Sequence, residues 1–253
     1  MKWVIGVIKK ILHVIFKCNI YKTLYLNFKM LPFSQAIKLP IWVYGKIIFR
    51  SLEGKIIIDT DRITSGMIRV GRNDWYVATN SPKTIWTING VLKFRGSINI
   101  YYGGYILVSR KGLLEIGSNG TFVGSDCKII CFDNINIGDN VHITWEVQII
   151  DSSFHYVETL GIDNNIKPLT KPIYVGDYCW IGNRTTISKG AYLPDYTIVA
   201  SNSLVNKNYL SIGSYNLLTG VPAVVKAQNV KRIFDSKIEK LYDEKFNYDR
   251  THL

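Results

Sequence analysis

The chain has 253 residues, of which 47% are hydrophobic and 20% are charged, a balance that is typical of a globular protein and excludes a disordered one. The formal net charge of +12 favours anionic partners such as nucleic acid, acidic lipid or phosphorylated ligands. We expect no nucleic-acid partner, because the sequence has no nucleic-acid motif and no lysine stripe interleaved with aromatic residues. The four cysteines form no paired framework, which indicates a reduced protein of the cytoplasm.

Residues 1–53 are predicted to be a basic, helical or irregular segment, interrupted by Pro32 and Pro40. The stretch from Trp3 to Phe16 is apolar except on one side of a helical wheel, which carries lysines and a histidine. It is too short to span a bilayer and has no small-residue cleavage site. Such an amphipathic helix suits peripheral contact with an anionic membrane surface, and it also suits packing on the protein body or on a neighbouring subunit.

A six-residue repeat runs without interruption through residues 175–210. Each unit begins with an aliphatic residue: Val175, Ile181, Ile187, Leu193, Val199 and Val205. The fifth place of the first five units is small: Cys179, Thr185, Ala191, Thr197 and Ser203. Period six requires a short strand and a bend at fixed intervals, so three units complete one triangular coil with the aliphatic residues on its axis. The pattern therefore predicts an all-β solenoid.

Shorter tracts of the same pattern occur at residues 137–148 and 212–223, and a weaker one begins at Ile116. Residues 54–115 alternate apolar and polar positions, which predicts earlier and less regular coils. We therefore assign the solenoid to residues 54–225. Residues 226–253 return to a helical pattern and predict a C-terminal helix.

The repeat is interrupted by residues 151–172, which include Asp151 and His155. An insertion of this length in a strict solenoid must loop out, and loops on rigid scaffolds often carry function. A neutral imidazole can take the proton of a hydroxyl group as that hydroxyl attacks a carbonyl carbon. We therefore regard this insertion as the candidate catalytic loop.

The hexads, together with the runs ITWEVQIIDSSFHYVE and KPIYVGDYCWIGNRTTISKGA, resemble the hexapeptide-repeat acyltransferases. The resemblance is closest to sugar O-acetyltransferases of the maltose and galactoside acetyltransferase group, in particular those of capsule, O-antigen and exopolysaccharide clusters. It implies a left-handed parallel β-helix, acetyl-CoA as co-substrate, a sugar or glycan acceptor, and a homotrimer with active sites between subunits. The general rule for crossovers between parallel strands would instead predict right-handed winding.

The resemblance also assigns roles to individual residues. His155 matches the general base of the family, and Asp151 or Glu146 would orient its imidazole, with Asp151 favoured. The positions implied for cofactor binding are Trp180, Gly182, Asn183, Ala200 and Ser201. The run TGVPAVVK resembles the family's closing motif and adds Gly220, Pro222 and Lys226, and the following Lys231 and Arg232 would either neutralise CoA phosphates or form a solvated basic face.

The acceptor site is less defined, because this chain has about 110 residues before the regular repeats. His142, Trp145 and Glu146 are the candidate acceptor-binding residues. N-acyl transfer to an amino-sugar would use the same scaffold and the same histidine. A zinc hydratase resembling the γ-class carbonic anhydrases needs three histidine ligands, and only His142 and His155 lie in the solenoid, so no metal is expected. A non-catalytic β-solenoid scaffold is the remaining alternative.

Overall fold

The computed structural model describes residues 18–73, 83–160 and 165–248. The predicted amphipathic stretch from Trp3 to Phe16 lies outside these residues. Nearly all of the described strands are short and parallel, and they form three long sheets. None of the helices within the described ranges has the length and apolar character needed to cross a membrane.

Consecutive strands alternate between the three sheets, so each set of three strands completes one coil of a triangular solenoid. The first sheet contains β1 (Ile41–Val43), β4 (Ile68–Arg72), β7 (Ile98–Tyr101), β10 (Phe122–Val123), β13 (His142–Ile143), β18 (Trp180–Ile181), β21 (Ile198–Val199), β23 (Asn216–Thr219) and β24 (Val224–Gln228). The second sheet contains β2 (Lys46–Leu52), β5 (Lys83–Ile88), β8 (Tyr105–Val108), β11 (Lys128–Cys131), β14 (Gln148–Ile150), β19 (Thr186–Ser188) and β22 (Leu204–Val205). The third sheet contains β3 (Lys55–Ile58), β6 (Val91–Phe94), β9 (Leu113–Ile116), β12 (Asn134–Ile137), β17 (Ile173–Val175) and β20 (Tyr192–Leu193). The predicted parallel β-solenoid is therefore confirmed.

The core consists of continuous files of aliphatic side chains along the solenoid axis. In the first sheet, one such file consists of residues that are paired between adjacent strands: Val43, Val70, Ile100, Val123, Ile143, Ile181, Val199 and Leu218. All six aliphatic residues that begin the predicted hexads are buried, and so are the five small residues at the fifth places. Each coil exposes apolar surface above and below that only the neighbouring coils cover, so the stack is stabilised by coil-on-coil burial.

Residues at two corners of the triangle adopt left-handed backbone conformations in coil after coil. At the corner between the first and second sheets these are Asp126, Glu146, Arg184 and Asn202, with φ of 57°, 58°, 59° and 58°. At the corner between the third and first sheets they include Tyr178 and Tyr196, both at 57°. Left-handed φ costs a side chain such as tyrosine about 1 kcal/mol. Stacking of these two rings, with centroids 4.7 Å apart, offsets part of that cost.

Helix α1 (Ile20–Met30) covers the N-terminal end of the solenoid, and α2 (Phe33–Ala36) follows it in the chain. The buried residues of α1, Thr23, Leu26, Asn27 and Met30, form one stripe that faces β1. The Asn27 side chain accepts the N–H of Ile41 and donates to the Ile41 carbonyl, so it pairs with the edge of the first strand. The sheets begin at Ile41, ahead of the predicted boundary at residue 54, because these early strands pair with later coils without following the hexad pattern.

The C-terminal segment of the chain folds back on the first sheet. Strand β24 pairs antiparallel with β23, and the helix α3 spans Ser236–Lys245. The segment that we predicted to be helical from residue 226 therefore begins as a strand. Its helix starts only after Asp235, whose carboxylate accepts the backbone N–H groups of Lys237 and Ile238.

Candidate active site

The insertion forms a short antiparallel hairpin of β15 (Val157–Thr159) and β16 (Asn165–Lys167) that projects from the corner between the second and third sheets. His155 lies on the turn that enters this hairpin, and its side chain is exposed. Its backbone N–H donates to the Ser153 carbonyl at 2.7 Å, and the Ser153 hydroxyl donates to the His155 carbonyl at 2.9 Å. Within the described ranges, no hydrogen bond to the imidazole itself is found, so both ring nitrogens are open to an incoming group.

The base of the insertion is fixed by Asp151, which is fully buried. Its two carboxylate oxygens accept the backbone N–H groups of Phe132 at 2.7 Å and Asp133 at 2.8 Å, in the preceding coil. Burial raises the pKa of Asp151 above its ordinary value, while these N–H groups act in the opposite direction. Both oxygens are thus engaged with backbone N–H groups, and the hydrogen bonds found for Asp151 in the described part of the chain do not include the His155 imidazole that it was predicted to orient.

A second anchor comes from Lys189, in the coil that follows the insertion. Its ammonium donates to the Ser153 hydroxyl at 2.9 Å, the Pro168 carbonyl at 2.7 Å and the Leu169 carbonyl at 3.2 Å. The two stems of the insertion are thus tied to each other and to the solenoid. Lys189 was not predicted, because a lysine within a hexad tract carries no pattern that indicates this role.

The residues predicted to bind the cofactor stack at the corner between the first and second sheets. Gly182 and Asn183 follow β18, and Ala200 and Ser201 follow β21 in the next coil. The Ser201 hydroxyl donates to the Asn183 side-chain oxygen at 2.5 Å. A Cβ on Gly182 would lie 2.5 Å from the Ser201 backbone nitrogen, so only glycine permits this close approach of the two coils.

Trp180 precedes this corner on the outer face of the first sheet and is 38% exposed. Gly220 and Pro222 continue the same corner in the last coil, where the Leu204 N–H donates to the Gly220 carbonyl at 2.9 Å. Lys226 follows on β24, and its side chain is exposed. The structure therefore brings most of the predicted cofactor positions together along one edge of the solenoid.

Trp145 and Glu146 occupy the same corner one coil earlier. The Arg184 guanidinium binds the Glu146 carboxylate at 2.5 Å, and the Arg184 backbone N–H donates to the Trp145 carbonyl at 3.2 Å. Beside this pair lies an open groove of about 410 Å³, lined by Gly103, Asp126, Lys128, Glu146, Gln148 and Arg184. Acidic, basic and amide side chains line the groove, and together they can both donate hydrogen bonds to a polyhydroxylated ligand and accept hydrogen bonds from it. Arg184, Lys128 and Gln148 were not predicted, because outward positions at the corners and strand starts of a regular solenoid carry no distinguishing pattern.

His142 lies next to Trp180 on the first sheet, and the chain that follows β24 packs over it. Its ring packs between Phe122, with centroids 4.5 Å apart, and Phe234, at 4.9 Å. The Arg232 guanidinium hydrogen-bonds the His142 Nδ1 atom. Burial, together with the Arg232 charge, lowers the pKa of His142 to about 3, so the imidazole is neutral at ordinary pH. This covered position makes His142 a poor fit to its predicted role of binding the acceptor.

Arg232 was one of two basic residues that we considered for the CoA phosphates. Its guanidinium lies over Trp180, 5.4 Å from the ring centroid, and over Phe234, at 5.0 Å. It also lies 3.9 Å from the Glu239 carboxylate. Arg232 therefore connects the C-terminal segment to the face that carries Trp180.

His155 and the cofactor corner do not meet within one chain. The insertion leaves the solenoid between the second and third sheets, whereas Gly182, Asn183 and Ser201 lie between the first and second. The full width of the second sheet separates the two corners. No group of three or more His, Cys, Asp or Glu side chains suited to a metal ion is found in the part of the chain that the structure describes.

The fold and these side chains define a three-sided parallel β-solenoid with a histidine-bearing hairpin. No family model matches the chain. An uncharacterized 24.8 kDa protein in the cps region of Klebsiella pneumoniae is 29% identical over 214 residues, which cover 85% of this chain and 89% of that protein.

Among solved structures, the polysialic-acid-specific acetyltransferase NeuO is similar over 82% of this chain and 99% of its own, with 19% identity and a TM-score of 0.46. The N-acyltransferase AntD of Bacillus cereus, solved with a dTDP-amino-sugar and coenzyme A, is similar over 83% of this chain and 89% of its own, with 14% identity and a TM-score of 0.39.

Proposed function

We propose that this protein is a hexapeptide-repeat acyltransferase that transfers an acetyl group from acetyl-CoA to a sugar hydroxyl in the synthesis of a surface polysaccharide. The observation that carries the proposal is the placement of His155. It is an exposed imidazole on a long insertion in the solenoid, and the insertion is held at its base by the buried Asp151 and by Lys189. The cps-region relative supports the polysaccharide context.

In the proposed reaction the neutral imidazole of His155 accepts the proton of the acceptor hydroxyl while the hydroxyl oxygen attacks the thioester carbonyl carbon. The resulting oxyanion needs N–H donors, which backbone amides near the site would supply. Collapse of the tetrahedral intermediate breaks the carbon–sulfur bond. The CoA thiolate leaves and takes the proton from the imidazolium, so the products are the acetyl ester and CoA. Asp151 acts as a positioning residue, since it fixes the loop rather than the ring.

Acetyl-CoA would lie along the corner formed by Gly182, Asn183, Ala200 and Ser201, with its pantetheine arm beside Trp180. Gly220, Pro222 and Lys226 continue this edge toward the phosphates, to which Lys226 offers an exposed ammonium. The sugar acceptor would lie in the groove beside Glu146 and Arg184. All four cysteines are free and buried. Free thiols and the use of acetyl-CoA both support a cytoplasmic location.

We further propose that the active enzyme is a homotrimer. His155 and the cofactor corner lie at different corners of the triangular section, so a single chain leaves each half of the site incomplete. Packing the second sheet's two corners against neighbouring copies lets the hairpin of one subunit approach the cofactor corner of the next. A cyclic trimer closes this arrangement with three identical sites.

The test is acetyl transfer from labelled acetyl-CoA to sugars that offer either hydroxyl or amine groups. We expect hydroxyl acceptors to be labelled, and His155→Ala to lower the rate by about 10²–10⁴-fold, as for loss of a general base. Lys167→Ala, in the same hairpin, is the matched control and keeps the parent rate. Labelling of amines alone would favour N-acyl transfer, and a folded His155→Ala variant with the parent rate would refute the proposed base.

A further inference from the structure

The positive charge of this protein is concentrated in the N-terminal part of its sequence. Residues 1–52 contain nine of the 31 lysine and arginine residues and none of the 19 acidic residues, so they carry +9 of the net +12. The first acidic residue is Glu53. The described part of this stretch, residues 18–52, includes α1, α2 and the first strands of the solenoid, and it carries five of these charges: Lys22, Lys29, Lys38, Lys46 and Arg50.

Helix α1 presents two apolar faces, one buried and one exposed. Thr23, Leu26, Asn27 and Met30 face the first coil and are buried. A second sector consists of the exposed apolar residues Ile20, Tyr21, Leu24, Tyr25 and Phe28, which span about 140° of the helix at 100° per residue. Lys22 and Lys29 lie at the edge of this sector. An ordinary surface helix has a polar outer face, so the outer face of α1 is unusual.

The exposed apolar surface continues from α1 onto neighbouring residues. Phe33 is 73% exposed and its ring lies 6.1 Å from that of Phe28, while Ile37 is 56% exposed. Exposed lysines frame these residues at Lys29, Lys38 and Lys46. We call this surface, from Ile20 to Ile37 with its flanking lysines, the N-terminal patch. Aromatic and aliphatic side chains bordered by lysines are the combination that binds the headgroup region of an anionic membrane.

We propose that the N-terminal patch docks the protein on an anionic phospholipid surface. The apolar residues would enter the boundary between headgroups and acyl chains, and the lysines would contact acidic headgroups. A second copy of the chain is a poor occupant, because two such positively charged ends repel each other. Four of the nine lysine and arginine residues counted above lie in the 17 residues that precede Cys18, whose sequence is otherwise largely apolar, so this composition favours the same occupant. This inference does not depend on the acyl-transfer chemistry.

A cyclic homotrimer would strengthen the docking, since its symmetry axis places the same end of all three subunits at one level. Three patches would then meet one membrane together, and the second and third contacts gain from the high effective concentration created by the first. The patch also lies away from the hairpin that carries His155. A glycan carried on the same membrane could therefore be approached without the docking surface blocking the candidate site.

The test is sedimentation of the full chain with phosphatidylcholine vesicles that contain or lack phosphatidylglycerol, without acetyl-CoA. We expect binding to the anionic vesicles only. The triple variant Tyr21→Ser, Phe28→Ser, Phe33→Ser and the triple variant Lys29→Gln, Lys38→Gln, Lys46→Gln should each bind at least about tenfold more weakly. The matched control is Leu241→Ser, Tyr242→Ser, Phe246→Ser, which removes exposed apolar side chains from α3 and from the residue that follows it, and it should bind like the parent.

Circular dichroism and thermal unfolding establish that each variant is folded, and acetyl transfer to a soluble acceptor is measured separately. The proposal is overturned if the parent fails to bind anionic vesicles or binds both vesicle types equally. It is also overturned if both N-terminal variants bind like the parent. A parent that forms a larger assembly, which the aromatic variant dissociates without any change in vesicle binding, would identify a second copy as the occupant.

Discussion

The buried carboxylate of Asp151 accepts the backbone N–H of Phe132 at 2.7 Å, and this bond joins the first residue of the insertion to the preceding coil. Asp133 supplies a second N–H at 2.8 Å to the other oxygen. The hairpin that carries His155 therefore begins from a fixed point. The stability of the solenoid and the position of the candidate base are coupled through one side chain.

Replacing Asp151 by Asn should lower both stability and activity. An Asn side chain keeps one oxygen, but its NH₂ group would face the N–H of Phe132 or Asp133 and leave it unpaired. We expect the free energy of unfolding to fall by about 1–3 kcal/mol, measured by urea titration. Asp61→Asn, at an exposed position, is the control. Unchanged stability and unchanged kcat would contradict the positioning role.

Lys189→Met should loosen the hairpin without altering the coils. The variant removes three hydrogen bonds to Ser153, Pro168 and Leu169 but keeps the length and packing of the side chain. We expect faster hydrogen exchange in the stems of the insertion and a lower kcat. Lys167→Met serves as the control, because Lys167 is exposed on the hairpin. Parent-like exchange in the stems would show that Lys189 does not hold them.

The neutral His142 should make stability depend on pH. Its folded-state pKa is lowered from 6.5 to about 3, so the unfolded chain binds the proton more readily. The stabilising contribution is fully present above pH 6.5 and is lost as pH falls toward 3, by up to about 1.4 kcal/mol per pH unit. His142→Gln should flatten this slope in urea titrations between pH 7 and 4. An identical slope in the variant would mean that His142 is protonated equally in both states.

The ion pair of Glu146 and Arg184 should matter for the acceptor rather than for folding. Both side chains are largely exposed, at 43% and 60%, so water screens their attraction. We therefore expect Arg184→Gln to leave the free energy of unfolding close to that of the parent while raising KM for the sugar. The KM for acetyl-CoA is the internal control. A rise in the KM for acetyl-CoA alone would indicate that the groove binds the cofactor and not the sugar.

The sequence predicted the solenoid well where the hexads are regular, because a position that is buried at every sixth residue requires an aliphatic side chain there. The predicted solenoid boundary at residue 54 lies after the first coil, which begins at Ile41. The residues from Ile41 onward form paired strands without the hexad spacing on which the prediction depended. The contact of Arg232 with His142 joins residues 90 positions apart, which no local pattern reveals. The tyrosines at left-handed corners also escaped prediction, since their stacking depends on contacts between coils.

Complementation between two inactive variants, His155→Ala and Trp180→Ala, tests whether His155 acts with the cofactor corner of a neighbouring subunit. Each mixed trimer should have about a third of the parent acetyl-transfer activity, because one of its three interfaces joins an intact His155 to an intact Trp180. Random co-assembly at equal amounts makes about three quarters of the trimers mixed, so the whole preparation should regain about a quarter of the parent activity. If co-assembled variants are no more active than each variant alone, both residues must act within one chain, and the inter-subunit account is contradicted.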